Sequence, residues 1–356
     1  MFINASIRKA LTGAKAALVL TLCALLLAFS ESSREGVKTG LELCLRVLTP
    51  SLFPFMALTH LFVKTGLCGA LGRPLSRPSK LLFGLNGALS AVLLLSLVGG
   101  YPVGASGIGS LRRQGAVDDR DAERAALFCV CAGPGFVLSF VGGAVYHSAA
   151  IGRAILFSQV LSVLITGCIA RIIFPIKKNT ARKEEPPVKA LPFGQALAAS
   201  VYAAAEGMLA ICAYVLAFSS LAGILSALIA DRAVLGACFT LLEVNTAVNA
   251  LAPWAPVEQV AFAVGFGGLC VHLQIFAALG EVRVNRPLFF LFRIMQGALT
   301  AGFCHLILRQ DRRAVAVFST AGQAQGSLIG GSLLSGAALL AVILCFFISI
   351  KQTKNQ

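Results

Sequence analysis

Two apolar stretches decide the reading of this chain: 125–143, AALFCVCAGPGFVLSFVGG, and 262–279, FAVGFGGLCVHLQIFAAL. Each is apolar enough for a bilayer core. Each is interrupted at its centre, by Gly133-Pro134-Gly135 in the first and by Gly265-Phe266-Gly267-Gly268 in the second. Backbone that leaves the helix at membrane depth survives only where protein or a cavity covers it. Interrupted segments in corresponding parts of two halves point to a transporter's binding site. Pro134 at a first helical turn is expected to split its segment into two half-helices, leaving free N–H groups near the membrane centre.

The composition around these stretches agrees. Of 356 residues, 57% are hydrophobic and 13% charged, and the mean hydropathy is +0.84. That excludes disorder and predicts an all-α, polytopic membrane protein. Apolar runs at 14–29, 49–63, 81–98, 125–145, 149–174, 197–230, 233–251, 257–280, 287–308 and 327–350 approach or exceed the ~20 residues of a spanning helix, or suit shorter broken ones. The net charge of +15 does not point to nucleic acid. Its Lys and Arg sit in gaps between apolar runs, as in Arg112, Arg113, Arg120 and Arg124, with no basic stripe interleaved with aromatics. The 11 Cys form no disulfide or zinc pattern and read as small hydrophobes, Cys129 and Cys131 included.

The most polar long stretch, 175–190 (PIKKNTARKEEPPVKA), divides the chain into two similar halves. The expected order is an anchor helix (1–33), a first repeat (34–174), the linker (175–190), a second repeat (191–310) and a C-terminal helix and tail (311–356). Whether the halves are inverted turns on their crossing counts, which the sequence leaves open. In the first repeat an amphipathic stretch at 34–48 is expected to precede a separate helix at 49–66. In the last helix Gly322, Gly326 and Gly330 form a small-residue packing stripe. Arg8, Lys9 and Lys15 before the run at 16–29 allow a signal peptide, but an uncleaved first helix fits the many later spans better.

Four places carry chemistry. Gly100-Tyr101-Pro102-Val103-Gly104 ends an apolar run, and a helix restarting there offers N–H groups to an anion. Gly133, Pro134, Gly135 and Phe136 follow, with Phe136 available to stack on a ring. Glu243, Asn245 and Thr246 lie inside an apolar run that reads as one helix. There Glu243 is a functional candidate by depth alone, for a coupling cation, a proton or an arginine. Glu206 is a weaker candidate of the same kind. Gly267, Gly268, His272 and Gln274 complete the set. On a helix His272 and Gln274 point ~200° apart, so both face one site only if the segment unwinds. No nucleophile elbow, metalloprotease motif or Walker loop is present, so the expectation is a non-enzyme without cofactor or metal, and any transport is secondary.

Taken in order, Gly99-Gly100-Tyr101-Pro102-Val103-Gly104-Ala105, Gly133-Pro134-Gly135-Phe136, Leu242-Glu243-Val244 and Gly267-Gly268-Leu269-Cys270-Val271-His272-Leu273-Gln274 resemble the YlbJ-type sporulation integral membrane proteins, also called stage V sporulation protein V. The resemblance covers roughly 40–310. It implies a nucleoside-recognition Gate domain, similar to parts of concentrative nucleoside transporters. It also implies the outer forespore membrane as location and dipicolinic acid as cargo. The expected partners are a small anionic substrate, the bilayer and a coupling ion (H+ or Na+). Homo-oligomerisation stays open and nucleic acid is not expected. Nucleoside or nucleobase uptake is the competing transport reading. A membrane assembly protein is the non-transport one, and it requires the broken segments to tolerate Gly-to-Ala changes. Bulky residues at Gly133 or Gly267 are expected to abolish flux.

Overall fold

A computed structural model describes residues 5–174 and 190–310. The expected linker, apart from its last residue, and the expected C-terminal helix with its glycine stripe lie outside the described residues. Among the described residues there is no strand, and the architecture is all-α. Five helices are long and apolar enough to cross a membrane, or six if one bent pair counts as a span.

The chain opens with α1 (Ala5–Ala28), whose Leu18, Leu20 and Leu27 are 61%, 69% and 80% exposed. Such a stripe suits lipid, not water. The next two expected pieces are one helix. α2 (Ser30–Leu43) runs through a π-turn (Cys44–Leu48) into α3 (Thr49–Lys64), giving a continuous span of 35 residues. Pro50 and Pro54 lack N–H groups that would close the ordinary ladder, and the wider π-turn just before them lets the helix continue.

The apolar run at 81–98 begins at an elbow. α4 (Leu67–Leu82) and α5 (Gly87–Gly99) meet at 95°. Asn86 caps α5 by accepting the Leu89 N–H at 2.9 Å. At the elbow a Cβ on Gly72 would lie 1.6 Å from the Gly87 carbonyl oxygen, so only glycine permits this approach.

α6 (Tyr101–Arg113) is buried on every side from Tyr101 to Leu111. A helix enclosed all round belongs at the centre of a bundle. Its small residues allow that: a Cβ on Gly104 would meet the Cys129 carbonyl at 1.9 Å, and one on Gly109 would meet the Ala278 carbonyl at 2.7 Å. Small residues at such contacts bring helices close enough for dispersion to hold them where lipid supplies no hydrophobic drive.

After α7 (Asp119–Ala126), capped by Asp118, the chain leaves the helix from Leu127 to Gly133. It resumes as a π-helix (Gly135–Val145). The two half-helices expected around Gly133-Pro134 are therefore one. The upstream piece stays unwound because its carbonyls find side chains: Ser96 donates to Cys129 O at 2.8 Å and Arg293 donates to Val130 O at 2.6 Å. Buried backbone groups need such partners.

Two long helices follow, α8 (Ala149–Ile173) and α9 (Phe193–Leu228). The run at 233–251 is broken, not continuous: α10 (Arg232–Leu242) ends at Glu243 and α11 (Val244–Leu251) begins there. α12 (Val257–Phe266) and α13 (Gly268–Leu279) form one span broken at Gly267, where φ is +89°. This span is 72% buried, against 22–44% for the other four, so it sits innermost. α14 (Arg286–Gln310) closes the described chain. Helices on either side of the 175–189 segment pack on each other, α3 on α9, α6 on α13 and α8 on α14.

Candidate functional site

The chain breaks meet in pairs. Gly133 does not lie against Gly267. Gly100, at φ +95°, lies against Gly133, where a Cβ on either would come within 3.0–3.1 Å of the other's backbone nitrogen. Gly268, at φ +75°, lies against the α10–α11 break, where a Cβ would come 3.0 Å from Glu243 N. Tyr101 joins the two pairs. Its ring approaches Gly267, and its hydroxyl donates to the Val264 carbonyl near the end of α12.

Between the pairs opens a small cleft. Gly100, Tyr101, Pro102, Gly133, Phe136, Glu243, Asn245 and Gln274 all line it. Eight of the expected residues thus come together, from four helices and three chain breaks. The others do not line the cleft. Gly104 is a packing contact inside α6. Pro134 and Gly135 start the π-helix behind Phe136. Gly267 and Gly268 provide the left-handed turn that sets the direction of α13. Thr246 serves Glu243.

Glu243 is 1% exposed and is the N-cap of α11. One carboxylate oxygen accepts the Asn245 N–H at 3.0 Å and the Asn245 side-chain amide. The other accepts the Thr246 N–H at 2.7 Å and the Thr246 hydroxyl at 2.8 Å. An ionised carboxylate offers about four lone-pair sites, and here four donors occupy them. The α11 N-terminus adds a favourable dipole. Among the described residues no Lys or Arg pairs with Glu243, Arg232 included. Its expected place inside a helix is corrected: Glu243 holds a break open and capped. Asn245, 4% exposed, keeps its Oδ1 without a hydrogen-bond partner.

The opposed directions of His272 and Gln274 on a helix are realised in α13. Gln274 lines the cleft, with its amide 3.3 Å from Cys270 Sγ. His272 faces away, fully buried, with Nε2 2.8 Å from the Phe266 carbonyl. Phe266, Phe289 and Phe290 pack edge-on around it, at centroid distances of 4.8, 5.5 and 5.1 Å. It is a core histidine and not a ligand of the cleft. Glu206 is exposed on the outer side of α9 and takes no part.

The remaining walls are apolar: Leu48 and Leu52 at the π-turn, Ile211 and Val215 from α9, and Val244 and Val271. No sequence signal separates these from other apolar residues in apolar helices. Phe136 stacks on Phe140 at 5.3 Å and 26°. No Lys or Arg among the described residues lines the cleft. Among the described residues no group of His, Cys, Asp and Glu could hold a metal.

The fold and this cleft define a multi-pass helical membrane protein built around broken helices. A curated relative narrows this. The chain is 26% identical over 339 residues to the sporulation integral membrane protein YlbJ of Bacillus subtilis (strain 168), covering 82% of this chain and 81% of that protein. The likeness bears out the YlbJ-type resemblance carried by the four motifs. No protein-family model matches the chain, and no solved structure does.

Proposed function

We propose that the protein is a secondary transporter of a small, flat organic anion, with dipicolinic acid during sporulation as the substrate the resemblance implies, in the outer forespore membrane. One observation carries the reading: the chain breaks at Gly100, Gly133 and Glu243 all line one cleft. Its lining, largely apolar walls with a few polar groups, is of the kind that small-molecule sites use. Tyr101 and Phe136 give a flat ring two aromatic neighbours, and the Gln274 amide supplies a donor. The reading is non-enzymatic.

Glu243 constrains the mechanism. An anion entering beside a buried carboxylate is repelled unless positive charge enters with it. Uptake is therefore coupled to H+ or Na+, with Glu243 and its four donors as the sensor. Relative motion at the Gly100–Gly133 and Gly268–Glu243 contacts alternates access, since the breaks are where helices pivot most cheaply.

A nucleoside or nucleobase reading is favoured by two particulars: the unpartnered Asn245 Oδ1, on a residue that lines the cleft with Gln274, and the lack of a cation in the lining among the described residues. Uptake of labelled dipicolinate and uridine into proteoliposomes, with Gln274→Ala beside the parent, separates the two. Saturable dipicolinate flux that falls in the variant supports the proposal. Flux of uridine alone replaces it with the nucleoside reading. Flux of neither supports a membrane assembly role. Substitution at Gly133 or Gly267 does not decide the matter, because packing and backbone geometry alone forbid a side chain there.

A further inference from the structure

Arg293 is fully buried on α14, roughly 10 Å along the helix from Arg286 at 1.5 Å per residue. Its Nη1 donates to the Val130 carbonyl at 2.6 Å, and its guanidinium carbon lies 5.9 Å from the Phe289 ring centroid. Among the described residues no carboxylate pairs with it. Its Nε and Nη2 have no hydrogen-bond partner. A lone, partly satisfied guanidinium at membrane depth is costly, and such residues mark ion or substrate paths.

The two free nitrogens are informative. Nε–H and Nη2–H point the same way and form the fork that grips a carboxylate with two parallel bonds. Arg112 uses that same pair of atoms to hold Asp119, at 2.6 and 3.0 Å. Two further polar side chains are buried beside this region. Gln296, three residues on, is fully buried with neither amide atom hydrogen-bonded, and Gln159 on α8, 1% exposed, makes no hydrogen bond of ordinary geometry. The Tyr101 hydroxyl lies beside the Gln159 amide and within electrostatic reach of Arg293. Tyr101 and Gly133 line the cleft, so the polar group lies behind Tyr101 and the unwound Val130–Gly133 segment.

We propose that Arg293, with Gln159 and Gln296, is a carboxylate-binding subsite beneath the cleft, reached when Tyr101 leaves the Val264 carbonyl. It rests on the transport reading and deepens it. Among the described residues the cleft lining lacks a cation and holds Glu243, so a fixed cation for a transported carboxylate lies one layer below and adds to the charge of the coupling ion. Each carboxylate oxygen takes one N–H of the guanidinium fork, and the glutamine amides donate to the remaining lone pairs. The ligand class is accordingly a carboxylate. Charge-neutral nucleosides gain nothing from this position.

The test uses the full-length protein purified in detergent. Thermal unfolding is followed during titration with benzoate, pyridine-2,6-dicarboxylate and chloride at constant ionic strength, in the parent, Arg293→Lys and Arg293→Gln. The expected result is saturable stabilisation by both carboxylates over chloride, weakened about 30-fold or more in Arg293→Gln. Arg293→Lys keeps the charge but loses the fork, and is expected to fall between the two. If Arg293→Gln does not fold, the parent titration and Arg293→Lys decide. The proposal is overturned if carboxylates do not stabilise the parent beyond chloride, or if every folded Arg293 variant binds them as the parent does. Flux measured in parallel separates this from the transport reading. Carboxylate binding lost at Arg293, with no flux in the parent, sustains the subsite and removes the transport role. Parent flux that is unchanged in Arg293→Lys and Arg293→Gln removes the subsite alone.

Discussion

Replacing Glu243 with glutamine tests the cap on which the second break depends. The carboxylate accepts four donors at once, two on each oxygen, from Asn245 and Thr246. Glutamine has one oxygen, so it keeps one pair and turns an NH2 group toward the other. Either way a buried backbone N–H of α11 loses its acceptor. Removing an N-cap costs about 1 kcal/mol, and losing a hydrogen bond to a charged group costs about 1.5–3 kcal/mol. The two overlap, so the expected loss is about 2–3 kcal/mol. Glu243→Asp keeps the charge and both oxygens on a shorter arm, with an expected loss of about 1 kcal/mol, since aspartate is an ordinary cap. Equilibrium unfolding in mixed micelles measures both. A Glu243→Gln protein as stable as the parent would refute the reasoning, because a carboxylate cap that accepts four donors cannot be exchanged for an amide at no cost. In proteoliposomes the same variant is expected to lose dependence on the coupling ion gradient before it loses all flux.

Other substitutions probe separate links. Gly104→Ala places a methyl 1.9 Å from the Cys129 carbonyl, so a loss of about 3 kcal/mol or more is expected, at the upper end of overpacking; a normal yield of monodisperse protein would contradict the α6 packing. Gly268→Ala combines φ +75° with a 3.0 Å approach to Glu243 N, and about 1–2 kcal/mol of backbone strain alone is expected; unfolding titrations check it. His272→Ala is expected to destabilise by about 3 kcal/mol, as a large buried side chain leaving an aromatic cavity, with unchanged substrate affinity in the folded fraction. Gln274→Ala is expected to do the reverse, weakening uptake while altering stability by less than about 1 kcal/mol. Equal effects of the two on affinity would mean that α13 is rotated from the orientation described.

What the chain announces by itself is what local chemistry decides. Glycine and proline act on their own backbone, so the interruptions at Gly100, Gly133 and Gly267 are visible before any fold is known. Long apolar runs likewise declare helices and a bilayer, because every peptide group in hydrocarbon must bond within its own segment. The opposed directions of His272 and Gln274 follow from helix geometry alone. Assigning the cleft to Gln274 required the Phe266, Phe289 and Phe290 rings that enclose His272. Glu243 as a cap was hidden because an acid in an apolar run reads equally as a helical residue or a break. The hydrogen bonds that choose between them are local, but the room for the break comes from Gly268 on another element. Leu48, Ile211 and Val215 carry no signal at all, since a wall of the cleft and a lipid-facing surface ask for the same side chains. Arg293 did carry one, as a lone cation inside the run at 287–308. Its meaning lies in the Val130 carbonyl and the two buried glutamines around it. Those neighbours are set by how α8, α14 and the unwound segment pack, and that is decided in three dimensions.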